Sequence, residues 1–358
     1  MGIAAFTRAR DRLLGAIKAE ADMATVLEET MAALHSLTRF SWCAVMPVDP
    51  QTLLPTGGVV EGIAPERCAT FWDNELLVPG FNKFNVLARS TDPVATLFDA
   101  TDGDLRRAPV YTDLWEPLGV ADDLRAAFLV GTTCWGVASF LRVSADGPFP
   151  DHEVDQVRAL APFIARAIKA SACKLDADAL GPGAMIVLDP TNRIEHLTAG
   201  AGELLDDLET VGVDAPGLPS IVGAVATKSR SSHTSTYLAT RVRGTSGRWL
   251  RVTAIPMEGD DGRIAVMIEP ARAADLTPIL LESYGLTERE VEIVMLLARG
   301  LATKNIAAEL ILSPHTVRDH VKAIFDKVGI NSRGELVARL FAKHLLDDFH
   351  AAVVHRAS

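Results

Sequence analysis

The sequence predicts α+β folds over residues 1–270, followed by an all-α unit of four short helices. Three observations support this prediction. Strand-like apolar runs alternate with helical stripes in the first three quarters of the chain. The strand-like runs then stop, and four helix-start signals follow within residues 285–348. A chain of 358 residues is long enough for two or three domains of ordinary size.

The first block, residues 1–174, opens with helical stripes, continues with strands and closes with a long helix. We predict a strand from Trp42 to Val48 and a hairpin whose arms begin at Arg125 and Cys134. Pro162 should kink or split the long helix that starts near Asp151. Two apolar stripes in this block could bundle with their copies in a second chain: Phe6–Leu13–Ile17 and Val157–Ile164–Ile168.

The second block, residues 181–270, contains three strand-like runs that begin at Ala184, Arg248 and Ile264. Residues 271–284 follow as a predicted linker helix, because their clustered leucines are too apolar for a free linker. Two interpretations of this helix stay open. Either Leu280 and Leu281 dock on a neighbouring domain and couple it to the C-terminal unit, or the helix extends the core of that unit.

The third block, residues 285–348, is marked by four helix starts. Thr287 and Glu290 form one capping box, Ser332 and Glu335 form another, Thr303 is expected to cap a short helix, and Ser313-Pro314 pairs an N-cap with proline at N1. Gly300 and Gly329 stand where a left-handed residue commonly ends a helix.

The helix after Ser313 divides into two faces at 100° per residue. An apolar face should pack on the two preceding helices: Val317, Val321, Ile324, Phe325 and Val328. A polar face fits the shape and hydrogen-bonding needs of the DNA major groove: His315, Arg318, Asp319, Lys322 and Asp326. This helix and the preceding one have helix-turn-helix spacing.

The charge of the chain is uneven. Residues 285–346 carry nine Lys or Arg against seven Asp or Glu, whereas the rest carries 26 against 39 and the whole chain has a net charge of -11. The total argues against a general nucleic-acid coat protein. A weakly basic unit on an acidic body predicts modest non-specific DNA binding and a reliance on dimerisation.

About a dozen positions in the C-terminal unit match one family in register: Leu286-Thr287-x-Arg289-Glu290, Gly300, Ile306-Ala307, Leu310, Ser313-x-x-Thr316-Val317-Arg318-x-His320, Lys327-Val328-Gly329 and Arg333. The pattern resembles the LuxR-type, or GerE-type, helix-turn-helix. The resemblance implies that Arg318, Asp319 and Lys322 read bases. It also implies that six residues contact phosphate or stabilise the turn: Thr303, Lys304, Asn305, Ser313, Thr316 and His320.

Several further expectations come with this resemblance. Arg333 matches a position near the DNA backbone or tied into the scaffold, and Asp319 either accepts from a cytosine or pairs with Arg318 or Lys322. The expected partners are double-stranded DNA with an inverted-repeat operator, a second copy of the chain, and RNA polymerase. The fourth helix should supply the dimer contact through four residues: Leu336, Val337, Leu340 and Phe341.

The order of elements in the first block resembles a GAF domain, and the second block resembles a degenerate PAS-like domain. A GAF fold implies a ligand cavity, for which the candidate aromatic residues are Trp72, Phe81, Phe84, Trp115, Phe128 and Trp135. The alternative is that these rings are ordinary core residues. The four scattered cysteines and the absence of ligand spacing predict neither a metal nor a cofactor.

The predicted function is a cytoplasmic transcription regulator gated by a small ligand or a partner, without catalysis and without a membrane segment. No phosphate-binding loop, nucleophile elbow or zinc-protease motif occurs in the sequence. Two alternatives remain at this point. The helix-turn-helix serves only dimerisation in an interaction protein, or the first block is a sensory hydrolase.

Overall fold

The computed structural model describes residues 2–64, 67–172, 182–208, 213–215, 218–231, 237–259 and 262–337. The chain divides into two compact units, Met1–Ala271 and Arg272–Ser358. The first unit contains two five-stranded sheets and the second is helical. The predicted fold class, α+β followed by an all-α unit, is confirmed.

The first half of unit one holds one antiparallel sheet in the order β2-β1-β5-β4-β3. Its strands are β1 Trp42–Pro47, β2 Val59–Glu61, β3 Val94–Thr96, β4 Val120–Val130 and β5 Thr133–Val143. Its helices are α1 Gly2–Lys18, α2 Met23–His35, α3 Cys68–Leu77, α4 Phe84–Leu87, α5 Leu97–Ala100 and α6 Asp151–Ala172. The predicted first strand and hairpin are confirmed, and the hairpin arms are longer than predicted.

Helices α1, α2 and α6 pack on one another, and α6 also packs on β4 and β5. Leu13, Val157, Ile164 and Ile168 have no exposed surface, because they form the interior of this packing. The expectation that these four residues bundle with a second copy is therefore wrong, whereas it stays a prediction for Phe6 and Ile17, which are half-buried. Helix α6 also continues through Pro162 without being split.

The second half of unit one contains a sheet in the order β10-β11-β12-β6-β7 and a small β8-β9 ladder. Its elements are β6 Ala184–Leu188, β7 Ile194–Leu197, α7 Ala201–Asp207, β8 Val213–Ala215, β9 Leu218–Pro219, α8 Ser220–Ser231, β10 Leu238–Arg243, β11 Trp249–Pro256 and β12 Ile264–Pro270. When each sheet's own strands are counted along the chain, both sheets have the order 2-1-5-4-3. The two halves thus share one strand topology.

The two halves are joined by a continuous apolar core and by buried polar contacts. Helix α3 packs against α8, and the buried residues of both sheets form one cluster. The buried Asp49 carboxylate accepts from the Arg241 guanidinium at 2.8 Å, and the Thr52 and Thr240 hydroxyls lie 3.1 Å apart. A buried carboxylate needs such a partner, so the pair holds the first half in register with the second.

Over its described residues, unit two contains α9 Ala273–Ser283, α10 Glu288–Ala298, α11 Thr303–Glu309, α12 Pro314–Val328 and α13 Arg333–Val337. We call α10 to α13 the reader. Its core includes residues from all four helices and also Leu281 of α9, which is 4% exposed. Leu280 packs against the same core. The segment predicted as a linker therefore extends the reader core, so Leu281 is not available for docking on another domain.

Candidate nucleic-acid interface and sensor cavity

Helix α12 has the two faces that its sequence predicts. Val317, Ile324 and Val328 are buried, and Val321 and Phe325 pack against them. The opposite side is exposed along its length and carries His315, Arg318, Asp319, Lys322 and Asp326. Because the inner face is held by the reader core, the outer face is a rigid row of hydrogen-bonding groups.

The start of α12 is held by its predicted cap. The Ser313 hydroxyl accepts from the Thr316 amide at 3.0 Å, and Pro314 occupies the first turn. The Ser313 and Thr316 hydroxyls also lie 2.9 Å apart. These bonds give both residues a turn-stabilising role and fix where the exposed row begins.

An aspartate within the exposed row is paired with a histidine. The Asp319 carboxylate lies 2.9 Å from His315 Nδ1, one helical turn earlier. The sequence left two roles open for Asp319, and the ion pair with Arg318 or Lys322 is not formed among the described residues, although the i, i+4 spacing of His315 was a readable signal. The contact with a cytosine stays a prediction. Among the described residues, Arg318 and Lys322 make no ion pair, so both cations are free to meet DNA.

Helix α11 lies beside α12 and presents further polar groups. Lys304 and Asn305 are exposed, whereas Thr303 and, on α12, His320 are half-buried. The prediction that Thr303 caps α11 is wrong. The N-cap position is Ala302, which has no side-chain acceptor, and Thr303 is the first helical residue.

Arg333 is tied into the scaffold of the reader. Its guanidinium donates to the carbonyl of Leu301 at 2.9 Å and to the carbonyl of Leu297 in the last turn of α10. The Leu297 carbonyl lies in the last turn of α10, at the negative end of the helix, where a cation is favoured. Of the two roles that the sequence left open for Arg333, the geometry supports the scaffold.

A second long-range contact joins α10 to α12. The Lys327 ammonium donates to the buried Glu290 carboxylate at 2.6 Å, and Glu290 also closes the predicted capping box with Thr287. Burial raises the pKa of Glu290, but the bonds from Lys327 and Thr287 outweigh burial and leave this pKa below its ordinary value. The ionised carboxylate therefore holds α12 against α10.

The turn between α11 and α12 contains an unusual residue. Ile311 has a left-handed backbone, with φ at 56°, and its side chain is 92% exposed. A β-branched residue is strained in this region. Leu310, immediately before it, has its carbonyl bonded by the Arg289 guanidinium at 2.9 Å. Arg289 thus holds the end of α11 where the strained turn begins.

A cavity of about 30 Å³ lies in the first half of unit one, between the sheet and α3. Two of the predicted aromatic residues, Trp72 and Trp115, line it. Phe84, Phe128 and Trp135 are buried elsewhere in the core, and Phe81 packs under Arg107. The other lining residues were not singled out from sequence: Ala44, Met46, Val60, Ile63, Arg67, Cys68, Phe71 and Ser139.

A buried charge cluster adjoins this cavity. The Arg125 guanidinium donates to Asp123 at 2.9 Å and to Glu75 at 2.8 Å, and the Ser139 hydroxyl donates to Asp123 at 2.7 Å. Asp122 beside it accepts from the amides of Phe98, Phe149 and Asp123. Burial raises the pKa of Asp122 to about 6 despite these amides.

Two buried cysteines of this half, Cys43 and Cys134, are poor nucleophiles. Burial raises the pKa of Cys43 to about 12 and that of Cys134 to about 11, so both thiols stay protonated at neutral pH. Within the described ranges, no group of three or more His, Cys, Asp or Glu side chains is arranged to hold a metal ion. In the same ranges, no helix is long and apolar enough to span a bilayer.

The fold and the exposed α12 row define a class of protein in which an α+β unit precedes a helix-turn-helix. Comparison with protein families identifies the parts. Residues 284–340 match "Bacterial regulatory proteins, luxR family", and residues 22–168 match the GAF domain. The chain therefore carries a GAF domain and a C-terminal luxR-family helix-turn-helix domain.

Three relatives are named as transcriptional regulators. The probable regulatory protein NarL of Mycobacterium tuberculosis is 37% identical over 76 residues, which is 21% of this chain and 32% of NarL. UhpA of Escherichia coli is 46% identical over 56 residues, 16% of this chain and 29% of UhpA. The probable regulator GfsR of Streptomyces halstedii is 34% identical over 114 residues, 30% of this chain and 44% of GfsR. The matches span less than half of each relative.

Solved structures of VqmA also align with the chain. The structure of the Vibrio cholerae VqmA dimer without target DNA is 17% identical, covers 45% of this chain and 82% of VqmA, and has a TM-score of 0.21. VqmA bound to DPO is 18% identical, covers 44% and 84%, and has a TM-score of 0.21. Scores this low carry no argument about the arrangement of this chain.

Proposed function

We propose that this protein is a transcription regulator that binds double-stranded DNA through α12 and is controlled by a ligand in the GAF cavity. The carrying observation is the exposed row on α12, in which Arg318 and Lys322 stand on a rigid helix with no acidic partner among the described residues. Arginine and lysine in this geometry reach guanine in the major groove. The naming of NarL, UhpA and GfsR as transcriptional regulators supports the proposal.

The exposed polar residues divide into two roles. Arg318, Asp319 and Lys322 contact base edges, because they occupy the middle of the exposed row, and His315 at its start orients Asp319. Lys304 and Asn305 on α11 contact the phosphate backbone and position the reader without reading sequence. Ser313, Thr316 and Arg333 serve by holding the turn and the scaffold.

The regulator acts as a homodimer on an inverted repeat. The weak net charge of the reader calls for two copies to reach useful affinity. Of the four apolar residues expected at the dimer contact, Leu336 is 1% exposed and belongs to the reader core. The side chain of Val337, and Leu340 and Phe341, lie outside the described residues, so the dimer contact stays a prediction for them.

The signal passes from the cavity through α3. One side of α3 lines the cavity with Cys68, Phe71 and Trp72, and the helix also packs on α8, where the Thr227 hydroxyl donates to Asp73 at 3.2 Å. A ligand that moves α3 therefore moves α8 and the PAS-like half with it. Such a ligand shifts the DNA-binding equilibrium by its difference in affinity for the two arrangements.

The remaining parts of the proposal rest on the sequence analysis and on the naming of the relatives as transcriptional regulators. We take the protein to be a non-catalytic regulator that acts in the cytoplasm, where its DNA is, and that contacts RNA polymerase at its promoters. Residues 1–174 form the GAF domain with its entry helix, residues 181–270 the PAS-like domain, residues 271–284 a helix joined to the reader, and residues 285–348 the DNA-binding domain.

A mobility-shift experiment tests the central proposal. The full-length protein should bind a fragment upstream of its own gene more tightly than random DNA of the same length. Arg318→Ala should cost about 1–3 kcal/mol on the specific fragment and little on random DNA, because a base contact is lost. Arg299→Ala, which removes an exposed arginine at the C-cap of α10 outside the α12 row, is the matched control and should leave both affinities unchanged.

Two outcomes would contradict the proposal. Equal loss on both DNAs would remove Arg318 from base reading. A folded, dimeric protein that binds neither DNA would favour an interaction protein whose helix-turn-helix serves only dimerisation.

A further inference from the structure

The GAF cavity combines aromatic walls with two polar groups that have hydrogen-bond donors left over, Trp115 and Arg67. The Trp115 indole N–H is buried and has no partner among the described residues. Arg67 lines the same cavity, makes no ion pair within the described ranges, and has only a 3.4 Å contact with the Leu114 carbonyl. Both groups are donors, so an occupant of the cavity must bring an acceptor to satisfy them.

The size of the cavity identifies which wall must move. A volume of about 30 Å³ holds one or two water molecules and no organic ligand. Trp72 and Trp115 are 4% and 1% exposed, whereas Phe71 is only half-buried. Phe71 is thus the aromatic wall that loses the least contact when it rotates outward.

The place of the Phe71 ring is bounded by other planar groups. Its centroid lies 5.5 Å from that of Trp72, 6.2 Å from that of Trp115, and 5.5 Å from the Arg125 guanidinium carbon. Arg125 has a buried Nη2 without a partner among the described residues. An occupant that replaces this ring must therefore be planar and apolar, with its acceptor at the edge.

We propose that the cavity binds a small aromatic carboxylate whose ring takes the place of the Phe71 ring. Its carboxylate accepts from the Arg67 guanidinium and from the Trp115 indole. The ligand should be an anion because Arg67 needs a counter-charge, and the nearby carboxylates Glu75 and Asp123 are already paired with Arg125. A neutral aromatic molecule would leave Arg67 without a counter-charge among the described residues. Binding of this ligand does not depend on the proposed function, whereas its effect on DNA binding does.

Calorimetry on the full-length chain tests the ligand class with benzoate and phenylacetate against the uncharged benzamide and phenylacetamide. Each acid should bind at least about tenfold more tightly than its amide, because a charge-assisted bond is lost in the amide. Arg67→Met should remove this preference. Arg166→Met, which changes an exposed arginine outside the cavity lining, should keep it.

A second variant keeps the proposal testable when wild-type affinity is low. Phe71→Ala vacates the ring's place and should bind the acids more tightly than the wild type does. The proposal would be overturned by equal affinity for acid and amide, or by an unchanged preference in Arg67→Met. It would also be overturned if neither acid bound to the wild type or to Phe71→Ala.

The same samples separate this inference from the proposed function. A mobility-shift titration with and without benzoate reports on gating. Acid binding that leaves DNA affinity unchanged would refute control through this cavity and keep the ligand class. A protein that binds the acids and no DNA would refute the proposed function alone.

Discussion

Replacing Arg333 separates a scaffold role from a DNA contact. In Arg333→Met, the chain loses the bonds to the carbonyls of Leu297 and Leu301 while keeping a side chain of similar length. Hydrogen bonds from a charged group contribute about 1.5–3 kcal/mol when one partner is removed. We expect the reader to lose about 2 kcal/mol, which lowers the Tm of a domain of this size by roughly 10 °C.

The assay pairs unfolding with a salt titration of DNA binding on the same protein. Lys304→Met is the matched control, because Lys304 is exposed and makes no bond within the described residues. A lost phosphate contact reduces the slope of log K against log salt concentration by about one unit per reader. We expect Lys304→Met to change the slope and not the Tm, and Arg333→Met to change the Tm and not the slope.

The reverse pattern would refute this reasoning. If Arg333→Met flattened the salt dependence as Lys304→Met does, and if its unfolding matched the wild type, Arg333 would be a phosphate contact. Its bonds to α10 would then contribute nothing measurable. An effect on both quantities would assign it both roles and would contradict the scaffold-only interpretation.

Three further predictions concern the stability of the reader, each measured on the full-length chain by denaturant unfolding. Ile311→Gly should stabilise the reader by about 0.5–1 kcal/mol, because glycine adopts the left-handed backbone without the strain of a β-branched residue. Ala308→Gly, at an exposed position of α11, is the control and should destabilise the reader by a similar amount. Changes of the same sign in both variants would contradict this prediction. Leu281→Asp should cost about 3 kcal/mol or more by placing a charge in the reader core, and an unchanged unfolding curve would return α9 to a coupling role. Because the pKa of Glu290 is lowered, its ionised carboxylate stabilises the reader above its ordinary pKa of about 4.3, and this stabilisation is lost as pH falls through the folded pKa. Glu290→Gln should therefore weaken the fall in the free energy of unfolding at acid pH. An unchanged fall would show that the Glu290–Lys327 contact does not cause it.

Local features of the reader were predictable from sequence because they depend on residues within one or two turns. The Thr287 capping box, the Ser313 cap, the left-handed Gly300 and Gly329 and the two faces of α12 all follow from short-range spacing. The prediction that Thr303 caps α11 was wrong, because the N-cap position is Ala302. An extended Ala302 can precede a helix without any side-chain cap, and this leaves no sequence signal.

The cavity was only partly predictable. Aromatic residues could be chosen as candidates, but which of them face the cavity depends on the sheet. Gly136 on β5 lies against both Phe128 and Ile168 of α6, so Phe128 packs on the α6 side of the sheet. Phe71 and Arg67 were missed because nothing in their immediate neighbours marks them. They become neighbours of Trp115 only through tertiary packing.

The sequence alone determined the order of the blocks and the polar row on α12, because helix periodicity, caps and strand alternation are encoded over a few residues. The family resemblances of the sequence also identified the GAF and luxR-family domains, whereas the PAS-like type of the second block stays a prediction. The tertiary structure decided which polar groups are free for function. Arg333 is bound to the end of α10, and Asp49 is joined to Arg241 across 192 positions. Such pairings depend on how distant segments pack, and that distance is the physical reason why local pattern cannot reveal them.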